Sequence, residues 1–389
     1  YTAEDNQFIA QIYEPPLQYH LLKRPYTLIP LTAATIPEVH FYDAQGHLLS
    51  NQPDPSNVAY STYDIVLKSG IFYQPHPAFA LDQSGHYLYL NLTEQQLKKI
   101  DTMNDFAKSG TRELIADDYV YELKRLADPR VQSPIFSLMS KHILGLADLA
   151  KTLQQIPDKN FDLRNYSLAG AKVIDRYHYQ ITVQGFYPQF IYWLAMPFFA
   201  PIPWEAVQFY SQKGMEAKNI TLDWQPIGTG AYMLTENNPN RKIILKRNPN
   251  FHSEFYPTEG APGDREKGYL QNAGKPLPMI DQIYFTLDRE SIPRWNKFMQ
   301  GYYDTASVSS DSFDQAVQIN SQGQADLTPT LQKRKMRLSV TIEPALFYIG
   351  FNMLDPVVGG YSLKQEKLRR ALAIAIDQEE YIHIFLNGR

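Results

Sequence analysis

The stretch from Asp223 to Phe251 reads DWQPIGTGAYMLTENNPNRKIILKRNPNF and carries the clearest local signal in the chain. It predicts a strand over Tyr232 to Thr235, a polar turn over Glu236 to Asn240 and a second strand over Lys242 to Arg247. Two strands joined by a short polar turn indicate a β-hairpin. The Gly228-Thr229-Gly230 segment before the first strand is too short for a nucleotide-binding glycine motif.

Strands and helices are predicted on both sides of this hairpin. Before it, residues 36–92 have strand and turn patterns, with a strand predicted at HYLYLNL (86–92). Helices are expected in ADDYVYELKRLADP (116–129) and near residues 136–155. After it, we expect a strand at 283–287, two strands near 337–352 and a last helix from about Ser362 to Phe385. The mixture indicates an α/β or α+β protein.

Composition limits the classes of protein to which the chain can belong. The 389 residues correspond to about two or three domains, and 44% hydrophobic with 20% charged residues is typical of globular chains. The absence of cysteine excludes disulfide scaffolds, thiolate metal sites and cysteine nucleophiles. With 37 basic and 41 acidic residues the net charge is -4, so we expect no nucleic-acid partner.

Motifs for catalysis are not found. The sequence has no HExxH, GxSxG, GxxxxGK[ST] or GxGxxG pattern, and the pairs Asp117-Asp118 and Glu379-Glu380 fall on predicted helices, where capping and solvated faces explain them. We therefore expect no enzyme, no metal site and no cofactor. The 27 Tyr and 20 Phe residues fit either core and strand filling or a ligand cleft lined by aromatic rings.

Four segments, taken in order, resemble the extracytoplasmic solute-binding proteins of peptide ABC transporters, the dipeptide and oligopeptide family. They are YDIVLKSGIFYQPHPAF (63–79), RELIADDYVYELKRLADPRVQSP (112–134), the stretch 223–251 quoted above, and EKLRRALAIAIDQEEYIHIFLNG (366–388). Ala231 departs from the proline that the family usually has after GTG, and residues 257–278 form a longer segment than in common members.

The resemblance implies an α/β, two-lobed binding-protein fold with an extra subdomain. On this chain it places lobe I at 1–38 and 165–285, the extra α+β subdomain at 39–164 and an incomplete lobe II at 286–389. The family continues for more than a hundred residues after the last helix, so the chain is expected to be truncated at both ends. The carboxylate that receives a peptide's amino terminus lies in that later part.

The function implied by the resemblance is that of the extracytoplasmic substrate-binding subunit of an ABC importer. Such a subunit captures short peptides as an added strand, closes by hinge motion and delivers them to the membrane permease. We expect a monomer in the periplasm or at the extracytoplasmic face of a bacterial membrane. The same fold binding a nickel complex, haem, an oligosaccharide or a conjugate is the alternative, and a peptidase is a third hypothesis.

The ligand site is predicted at seven residues. Gly228, Thr229, Gly230 and Tyr232 are expected in the cleft because a glycine pair lets the backbone approach a ligand closely, although a tight turn that serves only packing is the competing interpretation. The other candidates are Phe351 and Asn352, which end the LFYIGFN strand and match the family's cleft-facing pair, and Tyr13 in the IYEPPL segment.

Overall fold

The computed structural model describes residues 3–157, 161–321, 323–341, 346 and 348–386. The chain divides into two compact units, Tyr1–Thr286 and Leu287–Arg389. The first unit has the helices α1 Ala3–Ile12, α2 Glu94–Leu97, α3 Ala116–Arg125, α4 Phe136–Met139, α5 Leu146–Gln154, α6 Phe190–Trp193 and α7 Trp204–Tyr210.

Eleven strands follow in the described part of the first unit. They are β1 Leu17–Tyr19, β2 Leu28–Pro30, β3 Glu38–Tyr42, β4 Tyr60–Val66, β5 Ala171–Asp175, β6 His178–Gln184, β7 Tyr232–Asn238, β8 Lys242–Arg247, β9 Glu254–Phe255, β10 Pro276–Leu277 and β11 Gln282–Thr286. All of their pairings are antiparallel, in two larger sheets of order β3-β4-β6-β5 and β11-β8-β7 and two short pairs, β1-β2 and β9-β10.

The main core of the first unit lies between the four-stranded sheet and α3. Alternate residues of β6 point inward, so Tyr179 and Ile181 are buried together with Tyr63 of β4. Tyr119 of α3 stacks on Tyr179 with ring centroids 5.0 Å apart. Strands β3 and β4 lie in the predicted extra subdomain (39–164), apart from Glu38 at the start of β3, whereas β5 and β6 lie in the 165–285 part of predicted lobe I. This sheet therefore joins strands from both predicted regions.

A buried ion cluster ties α3 to α7. The Arg112 guanidinium donates to both Asp118 oxygens, at 2.6 and 2.8 Å, and to both Glu205 oxygens, each at 2.7 Å. The Asp118 and Glu205 side chains are each only 2% exposed. One cation therefore compensates two carboxylates that have almost no access to water.

The second unit is smaller. It has the helices α8 Ser291–Met299, α9 Phe313–Ala316, α10 Pro329–Lys333, α11 Leu363–Ile374 and α12 Gln378–Phe385, and the antiparallel strands β12 Val317–Ile319 and β13 Ala325–Leu327. Its buried hydrophobic cluster consists of Trp295, Ala316, Val317, Leu327 and Leu331. None of the helices in the described residues is long and apolar enough to cross a membrane.

The elements with strong local patterns are confirmed. The hairpin exists as β7 and β8, the helix predicted over 116–129 as α3, and the strand predicted over 283–287 as β11, which pairs with β8. The apolar segment Phe190 to Trp204 contains only α6, a 3-10 turn and the start of α7, because its three prolines interrupt longer helix formation.

Two predicted helices are wrong in extent, since each is split. Over 136–155, residues 142–144 leave the helix to pair with β6, with Leu144 N–H donating to Thr182 O at 3.1 Å and Gln184 N–H donating to His142 O at 2.7 Å. The last helix ends at Ile374, and Asp377 then caps α12 by accepting from Glu380 N–H.

Three predicted strands are also wrong. In HYLYLNL (86–92), the Gln212 side chain bonds the backbone of Tyr89 and Leu92, so these groups do not join a sheet. Near 337–352, the residues that the structure describes form no strand and pair with no neighbouring strand, and Leu346 and Tyr348 are highly exposed. Residues 342–345 and 347 lie outside the described part.

Candidate functional site

The Gly228-Thr229-Gly230 segment lies against the end of α1. A Cβ atom on Gly228 would be 1.8 Å from the Ile12 carbonyl oxygen, and one on Gly230 would be 2.5 Å from the Gln11 carbonyl oxygen. The two glycines are therefore required because this segment packs directly on helix backbone. This contact agrees with the packing interpretation that the sequence left open beside a ligand-binding role.

The backbone groups of both glycines already have partners. Gly228 O accepts from Gln74 N–H at 3.0 Å, and Gly228 N–H donates to Gln74 Oε1 at 3.3 Å. Gly230 N–H donates to Ile12 O at 2.8 Å, and Gly230 O accepts from Asn248 Nδ2 at 2.9 Å. These bonds fix the segment's position, and its ligand-binding role stays a prediction.

Thr229, between the two glycines, belongs to a buried polar cluster. Its hydroxyl donates to Glu14 Oε2 at 2.7 Å, and Glu14 Oε1 lies 2.8 Å from His252 Nε2. Thr229 is 1% exposed and Glu14 is 5% exposed. A carboxylate so removed from water needs these partners, which connect three distant parts of the first unit.

The cluster extends from His252 toward the surface. His252 Nδ1 lies 3.8 Å from Glu254 Oε1, and Lys68 Nζ lies 3.4 Å from the same oxygen. Carboxylates and basic groups thus alternate from Glu14 to Lys68.

Tyr13 lies beside this cluster and lines a cavity of about 690 Å³ in the first unit. Burial raises the pKa of the Tyr13 hydroxyl, an effect partly opposed by Arg125 and by a hydrogen bond from the Ile227 backbone. Most of the cavity wall is apolar and comes from α1, the hairpin and the segments 197–202 and 222–226. Its volume lies within the range of small-molecule sites.

An ion pair on α3 also lines the cavity. Arg125 Nε donates to Glu122 Oε2 at 2.7 Å, and the two side chains are 14% and 13% exposed. Burial raises the pKa of Glu122 to about 7, although the neighbouring Arg125 acts in the opposite direction. The Glu122 carboxyl therefore changes charge near neutral pH.

Glu122 should make stability depend on pH. Its pKa in the folded state lies above the value of about 4.3 for an unfolded glutamate, so the folded chain binds the proton more tightly and stability falls as pH rises from about 4.5 to 7. In Glu122→Gln this contribution is absent. We expect the stability difference between wild type and E122Q to fall by about 2 kcal/mol between pH 5 and pH 8, measured by urea unfolding.

The exposed Asp148 on α5 provides the control, since Asp148→Asn should leave the pH profile of the wild type almost unchanged. A wild-type to E122Q difference that stays constant over this range would contradict the assignment.

The remaining predicted site residues are Tyr232, Phe351 and Asn352. Tyr232 is buried in the cluster with Ile12 and Leu245, and its hydroxyl donates to Ile280 O at 2.9 Å. Phe351 and Asn352 belong to the second unit, where Asn352 Oδ1 accepts from Leu354 N–H at 3.1 Å. The structure thus brings Tyr13, the Gly228 to Gly230 segment and Tyr232 together around Ile12 in the first unit.

Comparison with known families identifies the chain's class. The model of the bacterial extracellular solute-binding proteins, family 5 (middle region), matches residues 109–389. The chain belongs to this family. Family 5 is a class of binding proteins and not of enzymes, which confirms that no catalytic site is to be expected. The resemblance seen in the four ordered segments is confirmed as well.

Individual family 5 relatives are distant. The periplasmic oligopeptide-binding protein OppA of Salmonella typhimurium is 31% identical over 137 residues, covering 35% of this chain and 22% of the relative. Escherichia coli OppA is 27% identical over 206 residues, covering 53% of this chain and 34% of the relative. The chain thus spans about a third or less of these curated relatives.

Two solved structures are similar to part of this chain at low sequence identity. Peptide-bound OppA from Listeria monocytogenes has a TM-score of 0.49 and 16% identity, covering 81% of this chain and 44% of that one. The pheromone receptor PrgZ has a TM-score of 0.49 and 16% identity, covering 85% and 50%.

Sequence reasoning missed the residues that organise this site. Glu14 directly follows the predicted Tyr13, yet nothing local marks it as buried. Its partners Thr229 and His252 lie 215 and 238 residues away in the sequence. The one signal available in the sequence was that Glu14 and His252 each follow a strongly structured segment. Taken alone, that signal favours surface positions for charged and polar side chains.

Proposed function

We propose that this chain forms part of the substrate-binding subunit of an ABC importer that captures short peptides. The observation that carries the proposal is its similarity to two oligopeptide-binding proteins within a family of extracellular solute-binding proteins. The negative search for catalytic motifs agrees with capture and release of an unmodified solute.

The proposed architecture has two lobes that close on the ligand by a hinge. Residues 1–38 and 165–285 would form lobe I, residues 39–164 an extra subdomain and residues 286–389 part of lobe II. A closed, ligand-bound form would be what the membrane permease recognises, outside the cytoplasmic membrane. A monomer suffices for this cycle.

The proposed peptide site includes the Gly228 to Gly230 segment, Tyr13, Tyr232, Phe351 and Asn352. Main-chain hydrogen bonds to an extended peptide give affinity without regard to side-chain identity. Thr229 and Glu14 would fix the segment on the lobe I side. Pre-positioned groups lose little freedom on binding, which favours affinity.

Binding to the intact protein tests the proposal. Alanine peptides of two to five residues are mixed with the protein, and retained species are identified by native mass spectrometry. We expect stoichiometric retention without hydrolysis. Retention of a metal complex, haem or an oligosaccharide in place of every peptide would refute the peptide assignment, and turnover of the peptides would refute the binding-protein role.

Thr229→Val should weaken binding of the retained peptide. The change removes the hydroxyl that donates to Glu14 and leaves a buried carboxylate with one partner fewer. We expect about a tenfold loss of affinity in calorimetry. Thr235→Val makes the same substitution at an exposed position of β7 and should bind like wild type. Equal losses in both variants would show that Thr229 has no special role.

A further inference from the structure

The cavity beside Tyr13 has an apolar wall built by several elements of the first unit. Phe8 and Ile12 lie one helical turn apart on α1 and share one face, which lines the cavity. Phe198 and Trp224 add two aromatic side chains, from the segments before and after α7. The volume of about 690 Å³ is large enough to hold an apolar group that is not part of the chain.

Trp224 lines this cavity with a ring that has no aromatic partner. Its side chain is half-buried, and no aromatic ring or cation lies against it among the residues that the structure describes. Each of the other three tryptophans contacts an aromatic side chain, in the pairs Trp193–Tyr187, Trp204–Tyr87 and Trp295–Phe298. Because ring pairs contribute beyond the area that they bury, a ring that entered the cavity would gain from contact with Trp224.

The charged groups in the wall disfavour an acidic ligand group. Asp5, Glu122 and Asp223 supply three carboxyl groups, and Arg125 is the one cationic side chain among the described lining residues. Arg125 Nε already donates to Glu122 Oε2 at 2.7 Å. A ligand carboxylate would therefore enter an apolar space with more carboxyl groups than cations, and burying it without a partner is costly. An uncharged ring avoids that cost.

The cavity adjoins the segment proposed to hold the peptide main chain. Ile12 lines the cavity, and its carbonyl oxygen accepts from Gly230 N–H at 2.8 Å. Pro226 also lines the cavity and lies two residues before Gly228. A peptide held at the Gly228 to Gly230 segment would therefore have a side chain within reach of the cavity.

We propose that this cavity is a specificity pocket that receives one aromatic side chain of the captured peptide. The inference rests on the proposed function, because it treats the cavity as part of the peptide site. It narrows the ligand from short peptides in general to peptides that carry phenylalanine, tyrosine or tryptophan. Main-chain hydrogen bonds give the common affinity in this arrangement, and the pocket adds the preference.

Tetrapeptide affinities test the inference. Tetra-alanine and four variants with a single phenylalanine, at position 1, 2, 3 or 4, are titrated by calorimetry into the intact protein. All titrations are made at about pH 8, so that the charge of Glu122 is the same in each. At least one phenylalanine peptide should bind about tenfold or more tightly than tetra-alanine, because a buried phenyl ring leaves water.

Charged residues at the preferred position provide the contrast. Glutamate or lysine in place of that phenylalanine should weaken binding by about tenfold or more. Affinities of all five uncharged peptides within twofold of one another would overturn the inference. A glutamate or lysine peptide that binds as tightly as the phenylalanine peptide would also overturn it.

Variants that fill the cavity locate the preference. Ile9→Trp fills it from a half-buried position of α1, and Val131→Trp fills it from the segment after α3. In each, the ratio of phenylalanine-peptide to tetra-alanine affinity should fall to about one. Ile174→Trp, at an exposed position of β5 outside the cavity, should keep the wild-type ratio. Thermal unfolding shows which filled variants fold, and a folded one that keeps the full ratio would refute the pocket.

A single blocked amino acid separates the pocket from the peptide assignment. At about millimolar concentration, N-acetylphenylalaninamide should change the tryptophan emission of wild type, whereas N-acetylalaninamide should not. Trp224→Phe should lose this change. If every tetrapeptide fails to bind but the change is seen, the peptide assignment fails and the aromatic pocket holds. If tetra-alanine binds but no ring-bearing ligand is preferred, the peptide assignment holds and the pocket is refuted.

Discussion

Replacing Arg112 with methionine is expected to destabilise the first unit by about 3 to 5 kcal/mol. Arg112 donates four charge-assisted hydrogen bonds to Asp118 and Glu205, and these carboxylates are each 2% exposed. Methionine fills part of the volume but leaves both negative charges buried without compensation. Urea unfolding, followed by hydrogen exchange in β4 and β6, reports the loss within this unit.

The exposed pair Lys151–Asp148 provides the matched control. Its side chains are 74% and 81% exposed, so Lys151→Met should cost well under 1 kcal/mol. If R112M and K151M unfold at the same urea concentration, the buried cluster does not stabilise the first unit in the way that its geometry indicates.

The Arg112 variant should also regain stability in acid. Burial raises the pKa of Asp118, and the Arg112 hydrogen bonds and charge act against that rise. Without Arg112 the folded-state pKa moves further above the unfolded value, so the folded chain binds a proton more readily. Stability of R112M relative to wild type should therefore increase as the pH falls from 7 to 5.

The sequence predicted elements whose signal is local. The β7–β8 hairpin and α3 carry their strand and helix patterns within a few residues, and both exist. Their bounds differ from the prediction, since β7 extends to Asn238, into the predicted turn, and α3 ends at Arg125. The helix predicted over 136–155 fails for a reason that is not local. Residues 142–144 pair with β6, about forty residues later, and that tertiary pairing overrides helix propensity.

The candidate site shows the same difference between local signals, which the sequence reveals, and long-range contacts, which it does not. The Gly-Thr-Gly segment was recognisable because two glycines two residues apart before a strand indicate close backbone contact. That the contact is with α1 follows only from the fold, as does the Glu14–His252 pair. A buried polar contact between residues 238 positions apart leaves no periodicity to detect.

Gly228→Ala is expected to have the other large effect, about 3 kcal/mol of lost stability together with loss of peptide binding. Gly228 is not among the glycines with positive φ, so alanine fits its backbone conformation. At such positions alanine usually stabilises by roughly 0.4 to 1 kcal/mol, because it restricts the unfolded chain. The expected sign is reversed here because the new Cβ would be 1.8 Å from the Ile12 carbonyl oxygen.

The clash cannot be relieved by a side chain, since the obstructing atoms are helix backbone. Moving the segment away from α1 would break the bond from Gly230 N–H to Ile12 O and stretch the bond from Thr229 to Glu14. Gly350→Ala is the control, because its Cβ would meet Tyr348 at an ordinary 3.6 Å. Thermal unfolding and tetra-alanine calorimetry should show large losses for G228A and small changes for G350A. A G228A protein as stable as wild type would mean that the segment does not pack on α1, and the site would then have to be sought elsewhere.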